Sequence, residues 1–225
     1  MLPNRQLKEA EELGVQVIET QKKELGAEHP STLVTMHNLA STYRSQGRWK
    51  EAEELGVQVM EARKKVLGME HPDTLVTMYN LVVTYWNQRR WKEAEELVVQ
   101  VMETRKKVLG AEHPSTLVTM HNLAMTYRNQ GRWKKAEELG VQVMETRKKA
   151  LGMEHLDTLV AMHDLAVTYW NQRRWKEAEE LVVQVMETRK KVLGAEHPST
   201  LATMRNLALT YGSQRRWKEA KELGA

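Results

Sequence analysis

Apolar positions in this chain recur at helical spacing, and whole helices recur at a longer spacing above it. Leu33, Met36, Leu39, Ala40 and Tyr43 fall three or four residues apart and draw one apolar stripe along a helix. Gln46-Gly47 interrupts the stripe. Trp49, Ala52, Leu55, Gly56, Val59 and Met60 then draw a second stripe, which predicts a second helix starting near Arg48 and buried on that side. Pro30 suits a first helical turn, where a missing N–H costs nothing, with His29 or Ser31 near the N-cap. Glu51, Glu53 and Glu54 lie early in the second helix and Arg63, Lys64 and Lys65 late, which complements its dipole. Gly68 follows Leu67 as a stop.

The same cycle returns along the chain. His29-Pro30, His71-Pro72, His113-Pro114 and His197-Pro198 are separated by 42, 42 and 84 residues, and His155-Leu156 fills the gap. Tyr43, Tyr85, Tyr127, Tyr169 and Tyr211 keep the 42-residue step, as do Trp49, Trp91, Trp133, Trp175 and Trp217. Residues 1–225 therefore form a single repeat array. It has the second helix of a leading repeat in 1–28, full repeats at 29–70, 71–112, 113–154 and 155–196, and a partial closing repeat in 197–225. One helix pair cannot bury both its stripes, whereas stacked pairs bury them as a continuous core. The predicted fold is all-α, a right-handed α-solenoid of stacked antiparallel helix pairs with eleven helical segments. The tryptophan and tyrosine series read as core anchors of that stack.

A second period overlies the first. Residues 83–117 are identical to residues 167–201, an offset of 84. Gly56 and Gly140 alternate with Val98 and Val182, and Arg44 and Arg128 with Trp86 and Trp170. The array grew by duplicating a pair of repeats.

Composition narrows the chemistry. The chain is 41% hydrophobic and 28% charged, the range of an ordinary globular protein. Its net charge of +4 comes from 34 basic residues interleaved with 30 acidic ones, a solvated surface and not a nucleic-acid footprint. The absence of cysteine excludes disulfides, thiolate metal sites and a cysteine nucleophile, and suits a cytoplasmic setting. No apolar run is long enough for a membrane span, and no signal-peptide core follows Met1-Leu2-Pro3-Asn4-Arg5. The histidines are spread one or two to a repeat and no His-x-x-x-His pair occurs, so no metal and no cofactor are expected. Every candidate acid, base or nucleophile recurs in several repeats, whereas an active site needs one asymmetric constellation, so no enzyme and no catalytic residue are expected. His163-Asp164 is a local oddity, but adjacent helix residues do not face each other.

The run Asn-Leu-Ala-x-x-Tyr-x-x-Gln-Gly-x-Trp-x-x-Ala at 38–52 resembles the tetratricopeptide repeat, with small residues Ala40, Gly47 and Ala52 and an aromatic Tyr43 at the motif's spacings. The family's usual period is 34 residues. The 42-residue unit, linked by Leu-Gly-x-Glu-His-Pro and ending its second helix in Arg-Lys-Lys, resembles the kinesin light chain variety. The near-identical copies and Gly-Arg-Trp-Lys-Glu-Ala-Glu at 47–53 are most similar to the C-terminal arrays of fungal NLR-like STAND proteins. No heptad segment precedes the repeats and no Gly-x-x-x-x-Gly-Lys-Ser/Thr phosphate loop occurs, so the resemblance to STAND proteins is to their sensor end. Leu7, Ala10, Leu13 and Gly14 align with Trp49, Ala52, Leu55 and Gly56, and the sequence stops at Gly224-Ala225 within another second helix. This is the expectation for an excised fragment or an open-ended array.

The resemblance implies that first helices line a groove for a protein or peptide ligand. Its positions correspond here to His37, Tyr79, His121, His163 and Arg205, then Asn38, Asn80, Asn122, Asp164 and Asn206. Ser41, Val83, Met125, Val167 and Leu209 follow, then Arg44, Trp86, Arg128, Trp170 and Gly212. An asparagine amide both donates and accepts, so this ladder either holds a ligand's backbone or bonds adjacent repeats together. Arg44 and Arg128 are candidates for ligand carboxylates. Trp86 and Trp170 either anchor a ligand or pack against the neighbouring repeat. The expected ligand is an extended acidic and aromatic peptide, with no nucleic-acid or membrane partner. The competing reading is a structural scaffold that self-associates through uncapped ends.

Overall fold

The computed structural model describes residues 4–223, with side chains from residue 8 onward. Met1–Pro3, Gly224, Ala225 and the side chain of Leu7, which the repeat alignment uses, lie outside the described residues. Among the described residues there are eleven helices and no strand. They are α1 (Asn4–Glu24), α2 (Pro30–Ser45), α3 (Trp49–Leu67), α4 (Pro72–Asn87), α5 (Trp91–Leu109), α6 (Pro114–Asn129), α7 (Trp133–Leu151), α8 (Leu156–Asn171), α9 (Trp175–Leu193), α10 (Pro198–Ser213) and α11 (Trp217–Glu222). The chain divides into two compact units, one ending at Thr116 and the other beginning at Leu117. In the first unit α1 to α5 pack in sequence, each on the next; in the second, α7 to α11 do so.

Local chemistry sets the helix ends. Each first helix is capped by a histidine and not by the serine or aspartate two residues on. His29 Nδ1 accepts the Ser31 N–H at 3.2 Å, and His71, His113, His155 and His197 accept the equivalent N–H at 3.1 Å. The helix starts identically at Leu156, so the cap and not the proline defines the boundary. Second helices end where Gly68, Gly110, Gly152 and Gly194 take φ of 86–93°, which only glycine adopts without strain. The turn inside each pair also needs a left-handed residue. Gly47 and Gly131 supply it at φ 76° and 73°, but Arg89, Arg173 and Arg215 occupy the same place at φ 59–62°.

Burial follows the first-helix stripe. Leu33, Met36, Leu39, Val59 and Ile18 form one core in the first unit, with Tyr43 and Leu55 half-buried against it. Leu159, Met162 and Val185, and then Ala166, Val182 and Leu207, do so in the second. Each fully buried leucine, isoleucine, valine or methionine among them contributes about 1.5–3 kcal/mol.

Two expectations need correction. The tryptophans that open the second helices are not core: Trp49, Trp91, Trp133 and Trp175 are half-buried and Trp217 is 67% exposed. Each stands at the first residue of its helix, at the rim of the pair. The Trp175 ring meets Trp170 edge-on at 5.5 Å between centroids, and the Trp217 ring lies 3.4 Å from where a Cβ on Gly212 would stand. The Arg-Lys-Lys run is also not a uniform basic end. Arg63, Arg105, Arg147 and Arg189 are buried and donate to the backbone oxygens of Asp73, Ser115, Asp157 and Ser199 at 3.0–3.2 Å. Only the lysines remain to face solvent.

Candidate functional site

The side chains expected to line a groove lie largely between neighbouring first helices. In the first unit Arg44 of α2 donates through Nη1 to Asn80 Oδ1 of α4 at 3.0 Å and through Nη2 to Ser41 Oγ at 3.0 Å. Asn80 Nδ2 donates in turn to His37 Nε2 at 3.2 Å. The asparagine amide is thus engaged on both sides, its donor by the imidazole and its acceptor by the guanidinium. Burial, then Arg63 and Arg44, hold the His37 imidazole below its ordinary value, which favours the neutral ring that the amide donor requires.

The second unit repeats the junction with one change. Asp164 replaces the asparagine; its Oδ1 accepts from Arg128 Nη1 at 3.3 Å and its Oδ2 lies 3.3 Å from His121 Nε2. Next along, Asn206 Nδ2 of α10 donates to His163 Nε2 of α8 at 2.6 Å. Asn38 is exposed on α2, Tyr79 and Trp86 are half-buried, Asn122 is buried on α6, and Arg205 is exposed on α10. Gly212 is half-buried beneath Trp217.

The Arg44 and Arg128 junctions differ from the one at Trp170. The space lined by His37, Ser41, Arg44, Gly56, Asn80 and Leu81 holds only about 10 Å³, and the equivalent space around Arg128, Gly140 and Asp164 also about 10 Å³. The guanidinium fills it and bridges to the next helix. Trp170 makes no such bridge. Its ring turns onto Trp175, and a cleft of about 130 Å³ remains, walled by Ala166, Val167, Trp170, Val182, Leu209 and Thr210 with Asn206 at its edge. Trp170 is 38% exposed and Leu209 55%.

The outward face of the first helices carries a series that the sequence reading passed over. Val34, Val76, Val118 and Val160 recur every 42 residues and are 39–46% exposed. Val34 shares its face with Asn38, Ser41 and Ser45 at helical spacing, opposite the buried Leu33–Met36–Ala40 stripe. That spacing was the signal.

Within each unit a second lattice ties a helix pair to the one before it. Arg48 donates to Glu11 of α1 at 2.6 Å and to Glu51 at 2.8 Å, and its guanidinium lies 4.4 Å from the Tyr43 ring centroid. Gln46 Nε2 donates to the same Glu11 at 3.0 Å. Arg90–Glu53, Arg174–Glu137 and Arg216–Glu179 repeat the ion pair at 2.6–2.7 Å. The hydrogen bonds from Arg48 and Gln46 hold the Glu11 carboxyl below the usual range. Among the described residues no cluster of three or more histidine or carboxylate side chains could hold a metal ion, and no helix is long and apolar enough to cross a membrane.

Stacked helix pairs on a 42-residue period, joined by a ladder between first helices, define a helical-repeat interaction scaffold. The sequence profile of the tetratricopeptide repeat family matches residues 3–65, 38–107, 73–149, 121–191 and 157–225, and the chain belongs to that family. No curated protein matches it. Among solved structures, nearly identical TPR-like repeats of Podosopora anserina, assigned to a kinesin light chain, are 39% identical over 87% of this chain and 92% of theirs, with a TM-score of 0.77. BtubC (BKLC) from P. vanneervenii is 17% identical over 96% of this chain and 87% of its own, with a TM-score of 0.79. A Rap protein in complex with competence and sporulation factor is 11% identical over 99% of this chain and 64% of its own, at 0.66. The last two share the fold alone.

Proposed function

We propose that this interaction scaffold binds a partner protein as an extended segment laid along the outward face of the first helices, anchored by an apolar side chain in the Trp170 cleft. The observation that carries the reading is the contrast between junctions: about 10 Å³ where Arg44 and Arg128 bridge and about 130 Å³ at Trp170. An apolar cavity of about 150 Å³ takes a benzene-sized group, so the cleft suits one aromatic or branched aliphatic side chain. The exposed valines would extend the apolar contact. Arg44 and Arg128 act in this reading as junction closers, and the partner's acidity is a separate feature to be tested. A place as the sensor region of a larger NLR-like protein belongs to the same proposal and rests on the sequence resemblance alone.

The test is a random-peptide display selection on the chain, followed by titration of the enriched peptides against the wild type and Trp170→Arg. The substitution converts the junction to the arginine kind. Shared apolar anchors and at least tenfold weaker binding to the variant, about 1.4 kcal/mol, support the reading. Equal affinity contradicts it.

A further inference from the structure

Two polar side chains line the Trp170 cleft: the Thr210 hydroxyl donates to the Asn206 backbone oxygen at 2.9 Å, and the orientation of the Asn206 amide is set from outside. Asn206 donates one of its two Nδ2 N–H groups to His163 Nε2 at 2.6 Å, which holds the nitrogen at the imidazole and turns Oδ1 to the side where the equivalent Asn80 Oδ1 meets Arg44 in the first unit. We propose that His163 fixes the hydrogen-bonding face that Asn206 shows to the cleft, so that the cleft selects an apolar group carrying an N–H donor. This rests on the cleft being a binding site, as proposed above.

The chemistry is a choice between two amide orientations. A neutral His163 with its lone pair on Nε2 needs a donor opposite, and Asn206 turns its N–H there. A protonated His163 carries N–H on both nitrogens and needs an acceptor opposite. Asn206 then turns by half a revolution and its N–H faces the cleft, where a ligand donor meets another donor.

The surroundings favour the neutral form. Asp164 Oδ1 on the same helix lies 4.0 Å from His163 Nδ1. The charged groups facing the imidazole from packed helices are Arg128 of α6 and Arg189 of α9, with Asn206 as the neutral partner from α10. Burial depresses the His163 imidazole below its ordinary value, Asp164 opposes this, and the two arginines reinforce it. The donor preference is therefore present above the ordinary histidine range and is lost as pH falls through the lower folded value.

Indole and benzofuran test the inference as probes, since they match in shape while indole has an N–H donor and benzofuran an oxygen acceptor. Each is titrated into the full chain at about pH 7.5, where an unperturbed histidine is neutral, and binding is read from the indole N–H resonance of Trp170. Wild type is expected to bind indole at least about fivefold tighter, the scale of one net hydrogen bond. In His163→Gln the partner amide accepts either orientation of Asn206, and the preference is expected to fall below about twofold. Acidifying the wild type until the imidazole signal of His163 itself shifts is expected to remove the preference. If neither compound moves the Trp170 resonance, the cleft reading fails and this inference with it. If both compounds bind wild type equally, or if His163→Gln keeps the preference, the inference alone is overturned.

Discussion

Arg44 and Asn80 lie 36 residues apart in sequence and are joined by a 3.0 Å hydrogen bond from guanidinium to amide oxygen. The bond closes the junction between the first helices of neighbouring repeats. Asn80→Ala removes the acceptor from the half-buried Arg44 and the donor from His37 together. The expected cost is about 1–3 kcal/mol, because partly buried polar groups are left unmatched. Asn38 occupies the same repeat position but is exposed on α2, so Asn38→Ala is expected to cost under about 0.5 kcal/mol. Urea denaturation midpoints of the two variants check this. Equal shifts would show that the Asn80 contacts carry no stability.

Asp164 gives the corresponding junction of the second unit an ionic form. Asp164→Asn leaves hydrogen-bonding atoms in place but removes the charge that Arg128 and His121 share. The expected loss is about 1 kcal/mol, the difference between a charge-assisted and a neutral hydrogen bond. Hydrogen exchange localises it: protection is expected to fall in α8 and to stay unchanged in α2. A uniform change along the chain would contradict a local role.

The glycines of the second helices differ in the room they leave. A Cβ on Gly14 would stand 3.5 Å from Leu39 Cδ1, an ordinary contact, whereas one on Gly56 would stand 2.8 Å from Leu81 Cδ2. Gly14→Ala is expected to stabilise by about 0.8–1.0 kcal/mol through helix propensity alone. Gly56→Ala is expected to gain nothing, since the buried Leu81 must leave its rotamer. Thermal melts of both variants decide, and a gain at Gly56 would show that Leu81 has slack.

Arg89 and Arg173 hold left-handed backbone at φ 59° and 62°, where the alternate repeats use glycine. Arg173→Gly relieves the steric cost of a side chain in that region and is expected to stabilise by up to about 1 kcal/mol, less than the full cost because glycine loses more freedom on folding. Gly131→Arg is expected to do the reverse. Denaturation midpoints that move the other way would mean that the arginine side chains make compensating contacts.

The helices were legible because their signals are local and repeated. His-Pro at one end, Gln-Gly in the middle and Leu-Gly at the other end mark each pair, and the apolar stripes lie between them. The buried Leu33, Leu75, Leu117 and Leu159 follow from that stripe directly. The junctions were less legible. That Arg44 reaches Asn80 depends on the offset between neighbouring first helices, which no single helix encodes. The tryptophans misled for a different reason. A large aromatic at a fixed repeat position suggests core, but a residue at the first position of a helix lies at the rim of the stack. The valine series at 34, 76, 118 and 160 was visible in the sequence and was obscured by the expectation that an apolar residue faces inward.

The central claim is that a ligand uses the outward face of the first helices and enters the Trp170 cleft. Amide and side-chain shift mapping of the ¹⁵N-labelled chain, with a display-selected peptide added, tests it most directly. The account predicts that the perturbed residues fall on α8 and α10, at Val160, Val167, Trp170, Asn206 and Leu209. It also predicts that Glu138 and Gln142, on the exposed side of α7, stay silent. Shifts concentrated on the exposed side of the second helices, with Trp170 unmoved, would contradict it.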